Sequence, residues 1–267
     1  MATFLPIRSP NAIDQAVFVV KVSKKIGELY LTELKMLKET LVGFENFKDV
    51  KVQGVMMTPN GMTVQDNRVI GGSCNTPPHA QEHLVNSERP DWLLNITEDT
   101  IQINCLNYVS WGESIAYVDN ILTKTFECLP SSEIFITGVT FQVNDSFVVQ
   151  DNIDDVDYSQ LFNHSKYLPE NAWSVGSLWH VHSGWFDNKN SNNDLNVLNI
   201  STRKDVSETI LLQVSIEHMQ QFTFEPMVAL AGNESAPITI FNRLHARNKS
   251  VATDLLLADI KAQIGLS

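Results

Sequence analysis

Two pairs of histidines carry the spacings in this chain that chemistry could use. The first is His180 and His182, in the run Leu178-Trp179-His180-Val181-His182-Ser183. Side chains alternate across a strand, so residues two apart share a face, about 7 Å apart at Cα. Two imidazoles so placed can share a divalent metal ion, and a His-x-His pair begins several hydrolase sites. A working centre needs further ligands. Asp187 is the nearest in sequence, and Glu217 or His218 the nearest on neighbouring strands. The plainer reading puts both histidines on the polar face of a strand whose other face carries Trp179 and Val181.

The second pair, His79 and His83, is four residues apart with Cys74 upstream. His79-Ala80-Gln81-Glu82-His83 has the His-x-x-Glu-His order of one class of zinc peptidases. It follows Pro77-Pro78 and is closed by Arg89-Pro90, and no distal acid stands at a diagnostic spacing. Ordinary histidines on a loop or short surface helix are the expectation. Neither pair completes a centre, so no catalytic residue and no cofactor is assigned. A divalent metal at one of the pairs is the alternative.

Other chemistry lacks its parts. There is no Gly-x-Ser-x-Gly, and Val69-Ile70-Gly71-Gly72-Ser73 lacks the Gly-Lys-Ser/Thr ending of a phosphate loop. Cys74, Cys105 and Cys128 are three in number with no close pair, which suits neither a zinc ribbon nor a disulfide framework. Aspartates 145, 151, 154, 155 and 157 lack the glycine and terminal glutamate of a calcium loop and read as a solvated connection. Trp179 and Trp185 are an even number of residues apart and can share one strand face. Core packing is the default for them, and a partner-docking surface is the alternative, because tryptophan is favoured at interface hot spots.

The elements that must position these residues follow from periodicity. Residues 16–23 read as a strand. Ile26, Tyr30, Leu34, Leu37 and Leu41 recur at helical spacing, with Gly43 as terminator. A strand is expected at 50–57, turned by Pro59-Asn60-Gly61, and then a loop-like stretch from Gly71 to Pro90. Residues 92–97 and 100–109 form a hairpin around Glu98-Asp99. Ser110-Trp111-Gly112-Glu113 has the form of a capping box opening a helix that carries Ile115, Val118, Leu122, Phe126 and Leu129. A strand over 133–143 follows, which Phe147 to Val149 can extend. Strands near 174–186, 194–202 and 208–218 then precede a long helix begun at Ser235-Ala236-Pro237. Its stripe is Leu244, Asn248, Val251, Leu255, Ala258 and Ala262, with Asn248 the one polar interruption.

These elements describe an α+β protein of mostly antiparallel sheets covered by amphipathic helices. Two related strand-rich units are expected: 1–150 with two helices, and 151–267 ending in the long helix. The 267 residues, 43% apolar and 19% charged, are ordinary globular values. The net charge of −12 argues against nonspecific binding to nucleic acid or to anionic membranes. No signal-peptide pattern and no long apolar span is evident, so a cytoplasmic location is expected.

The Trp92-Leu93-Leu94-Asn95-Ile96 and Ile101-Gln102-Ile103 strands, Tyr108-Val109-Ser110-Trp111 and the helix to Leu129 carry a resemblance. So do Ile136 to Phe141 and Leu244-His245 in the last helix. Together they resemble a sporadically distributed family of uncharacterised prokaryotic proteins of about 250 residues. The resemblance carries no activity with it, and hints at defence or conflict systems, antiviral defence included. The function expected is a non-enzymatic binding or accessory subunit that acts through a protein partner or as a homo-oligomer. A metal-dependent hydrolase using a His pair, or a small-molecule sensor, is the competing expectation.

Overall fold

A computed structural model of the chain describes residues 3–41, 43–58, 61–75, 89–149, 156–173, 176–187, 194–205 and 211–266. It is an α+β protein whose strands pair antiparallel throughout the registers described. Among the described residues no helix is long and apolar enough to cross a membrane. The chain divides into two compact units, neither of them a continuous stretch. One comprises Met1–Ala16, Phe141–Phe222 and Phe241–Ser267, the other Val17–Thr140 and Thr223–Ile240.

The second of these units contains β3 (Phe44–Thr58), β4 (Gly61–Cys74), β5 (Trp92–Ile96) and β6 (Thr100–Cys105). They run in the order β3-β4-β5-β6, followed by β2 (Ile13–Val22). The β5–β6 hairpin matches the expected one, with Trp92 opposite Cys105 and Ile96 opposite Ile101. Alternation drives it: Trp92, Leu94, Ile96, Ile101 and Ile103 are all buried. The stretch expected to be loop from Gly71 is still strand as far as Cys74, because β5 pairs with it. Gly71 makes that pairing possible, since a Cβ there would lie inside the carbonyl of Leu94.

Helix α4 (Trp111–Glu127) opens as its sequence predicts: Ser110 Oγ accepts the Glu113 amide at 3.3 Å. Val118, Ile121, Leu122 and Phe126 are its buried stripe, and Trp111 stacks on Phe18 with ring centroids 5.9 Å apart. The single helix expected from Ile26 is instead three short ones, α1 (Ile26–Leu29), α2 (Leu31–Lys35) and α3 (Leu37–Thr40). Ile26, Leu34, Leu37 and Leu41 are nonetheless buried as that periodicity requires.

The first unit takes β7 (Phe135–Val149), β8 (His180–Asp187), β9 (Asp194–Asp205) and β10 (Leu211–Ala229) in the order β7-β10-β9-β8. β1 (Phe4–Pro6) pairs with β7. β2, β7 and β10 are long enough to contribute residues to both units. Residues 144–149, expected at the start of a connection, complete β7, where Phe147 and Val149 are fully buried. Helix α5 (Ala236–Leu255) buries Phe241, Leu244, Val251 and Leu255, and Asn248 among them. It stops at Leu255 because Leu256 leaves to bridge Phe162, so α6 (Ala258–Gln263) begins anew and Ala258 and Ala262 are exposed. The core of this unit gathers Leu198, Ile200, Leu212, Val214 and Ile216 from β9 and β10, with Leu255 and Ile260 from the helices and Leu256 from the link between them.

Candidate functional site

The three strands β8, β9 and β10 carry two very different faces. Alternation along β8 exposes His180, His182, Gly184 and Phe186 and half-buries Val181, Ser183, Trp185 and Asp187. Register extends each face across the sheet: His182 lies opposite Asn199, and Asn199 opposite Glu217.

On the exposed face the rings of His180 and His182 are 6.3 Å apart, tilted by 45°. The Nε2 of His180 lies 2.7 Å from Asn199 Oδ1, so a neutral amide, not a charged ligand, engages the ring. Glu217 shares the face but sits two strands away from His182. Asp187 is turned to the other side and bound to Arg247. Register also puts His218 on the opposite face from the pair. Among the described residues no group of three or more His, Cys, Asp or Glu could hold a metal ion. His79 and His83 lie outside the described residues. Phe186, at 61% exposure, is the largest apolar group on this face.

Trp179 and Trp185 lie against the core of the unit. Trp179 meets Tyr158 edge-on at 5.2 Å and Phe162 at 6.2 Å. Trp185 stacks parallel on His218 at 5.8 Å and also meets Tyr167. Each half-buried indole therefore spends its area on aromatic packing within the unit.

That inner face becomes polar toward the Asp187 end of β8. Asp187 and Asp194 are directly opposed, a juxtaposition that would repel unless neutralised. Two arginines one turn apart on α5 supply the charge. Arg243 and Arg247 each reach Asp194 at 3.1 Å, and Arg247 also holds Asp187. Arg243 lies over the Phe222 ring at 4.5 Å as well. Beneath them Asn196, His218, Gln220 and Asn248 are all buried. Asn248 Nδ2 faces His218 Nδ1 at 3.1 Å, and Gln220 Nε2 donates to the Leu244 carbonyl at 2.8 Å. Burial, and then the charge of Arg247, hold the His218 imidazole down at about 4, so it is neutral near pH 7.

Of this polar patch the sequence discloses Asn248, as a break in an apolar stripe. Asn196 and Gln220 have no such signal, since polar residues on strands normally read as the solvent side, and His218 is marked by its sequence only as a candidate ligand for the exposed pair. No protein-family model and no curated protein matches the chain. The geometry must therefore carry the functional reading by itself.

Proposed function

We propose that the protein is a non-catalytic binding or accessory subunit that takes an extended segment of a protein partner along β8. The observation that carries this reading is the position of β8. It ends the strand order and pairs, among the described residues, with β9 alone. A terminal strand presents backbone donors and acceptors to any further strand, and natural edges are commonly blunted by lysine or proline. The run His180-Val181-His182-Ser183-Gly184-Trp185-Phe186 has neither, and it exposes Phe186 beside the two histidines. Strand addition draws affinity from main-chain hydrogen bonds and specificity from alternate side chains. The net charge of −12 favours a segment flanked by lysine or arginine. A prokaryotic defence or conflict system is the setting that the family resemblance suggests.

The test is a displayed library of random peptides selected on the purified full chain. Selected segments should alternate apolar residues, carry basic flanks and slow hydrogen exchange at the β8 amides. They should lose about tenfold or more in affinity for Phe186→Glu, a change at an exposed position that leaves the core intact. Peptides that protect other amides, or bind the variant equally well, would sink the reading. A second copy of the chain supplying the strand would instead appear as a dimer in sedimentation, abolished by the same substitution.

A further inference from the structure

Three buried polar atoms on the inner face of β9 and β10 have no hydrogen-bond partner among the described residues: Asn196 Oδ1, Gln220 Oε1 and His218 Nε2. Their residues are 0%, 0% and 2% exposed. Asn196 and Gln220 are directly opposed across β9 and β10, and His218 is the next residue on the same face of β10. A buried polar atom left without a partner forfeits its hydration with nothing in return. Three on one patch demand a common explanation.

The orientation of each side chain is pinned by its other polar atom. Gln220 Nε2 donates to Leu244 O, and Asn196 Nδ2 donates to Asp194 O at 3.2 Å. Turning either amide over would set oxygen against oxygen. Asn248 Nδ2 donates to His218 Nδ1, which leaves the ring proton on Nε2. The patch thus offers two acceptors and one donor. A cation would meet the Nε2–H and the nearby Arg243 and Arg247, and an anion would meet two amide oxygens. The guest that fits is neutral and compact, with two donors and an acceptor of its own.

Opposed side chains on one face are about 5 Å apart at Cβ, and residues two apart on a strand about 7 Å. A single small molecule making bonds of about 2.8 Å has that reach. We propose that Asn196, Gln220 and His218 form an internal binding site for one water molecule, which donates to both amide oxygens and accepts from His218 Nε2. Internal waters characteristically make about three such bonds to buried polar groups and are costly to remove. Trp185, stacked on His218, walls the site on the side of β8. α5 fastens its frame through Leu244 and Asn248.

A high-resolution crystal structure of the full chain, with long-range proton–nitrogen NMR of the imidazoles, tests this. The expected result is one isolated density peak within about 3.2 Å of all three atoms, and a neutral His218 protonated at Nε2. Absence of the peak, density for a larger molecule, direct Asn196–Gln220 pairing or an Nδ1-protonated ring would each overturn it.

Discussion

Individual ionisable groups in this protein pull its stability in opposite directions as pH changes. Asp145 lies on β7 between the buried Val143 and Phe147, and burial pushes its carboxyl up to about 7 from 3.8. Between those values the folded chain holds a proton that the unfolded chain has lost. Its contribution is therefore present at low pH and is lost as pH rises through 7. Asp145→Asn should raise the melting temperature at pH 8 and leave it nearly unchanged at pH 4, as calorimetry can show. An equal gain at both pH values would contradict the assignment. The neutral histidines act the other way. His218 and His245 sit at about 4 in the fold against 6.5 unfolded, both through burial first and then a nearby cation, Arg247 or Lys249. The unfolded chain takes up protons first, so this stability is present above pH 6.5 and lost as pH falls toward 4. His218→Gln is expected to flatten the decline in melting temperature over that window, whatever it does to the value at pH 7. At this scale the sequence marked the histidines but not their company. His218 was a plausible third partner for His180 and His182, and only the β9–β10 register turns it away from them.

Elements were most legible where local chemistry sufficed to define them. The Ser110 cap and the stripe through Phe126 specify α4 within one stretch of chain. Ser110→Ala should lower unfolding free energy by about 1 kcal/mol, read from a denaturant midpoint at unchanged slope. The β5–β6 hairpin was equally clear, because alternation and a tight turn are both local. Where distant contacts decide, periodicity misleads. The apolar stripe runs on past Leu255, yet the helix ends there, since Leu256 O accepts from Asn163 Nδ2 at 2.6 Å and Leu257 N donates to Leu161 O. Gly71 is a similar case, reading as part of a loop beside Gly72. It permits the close approach of β5, and an added Cβ would lie inside the Leu94 carbonyl oxygen. Gly71→Ala is expected to separate β4 from β5 at a cost of roughly 1–3 kcal/mol. Loss of hydrogen-exchange protection at Leu93–Asn95, ahead of the rest, would be its signature.

At the scale of the whole molecule, the run of strand and helix patterns correctly indicates an α+β chain with mostly antiparallel strands, while the grouping of its parts is not written in periodicity. Periodicity describes neighbours along the chain, and both compact units are assembled from separated segments. The unit that bears β8 needs Phe241, Leu244, Leu255, Leu256 and Ile260, all buried and all from the last segment. A chain ending at Ile240 should therefore lose the tertiary near-ultraviolet signal of Trp179 and Trp185 and resist refolding. Retention of that signal would show that the α5 contacts are dispensable.

The same division has a bearing on biosynthesis. A ribosome releases the Met1–Ala16 strip well before Phe241–Ser267, at about 5–20 residues per second. Nascent β1 must therefore wait for β7, and the core of Leu198, Ile200, Val214 and Ile216 stays incomplete until Leu255, Leu256 and Ile260 are made. Completion of the unit that bears β8 is thereby tied to synthesis of its Phe241–Ser267 segment.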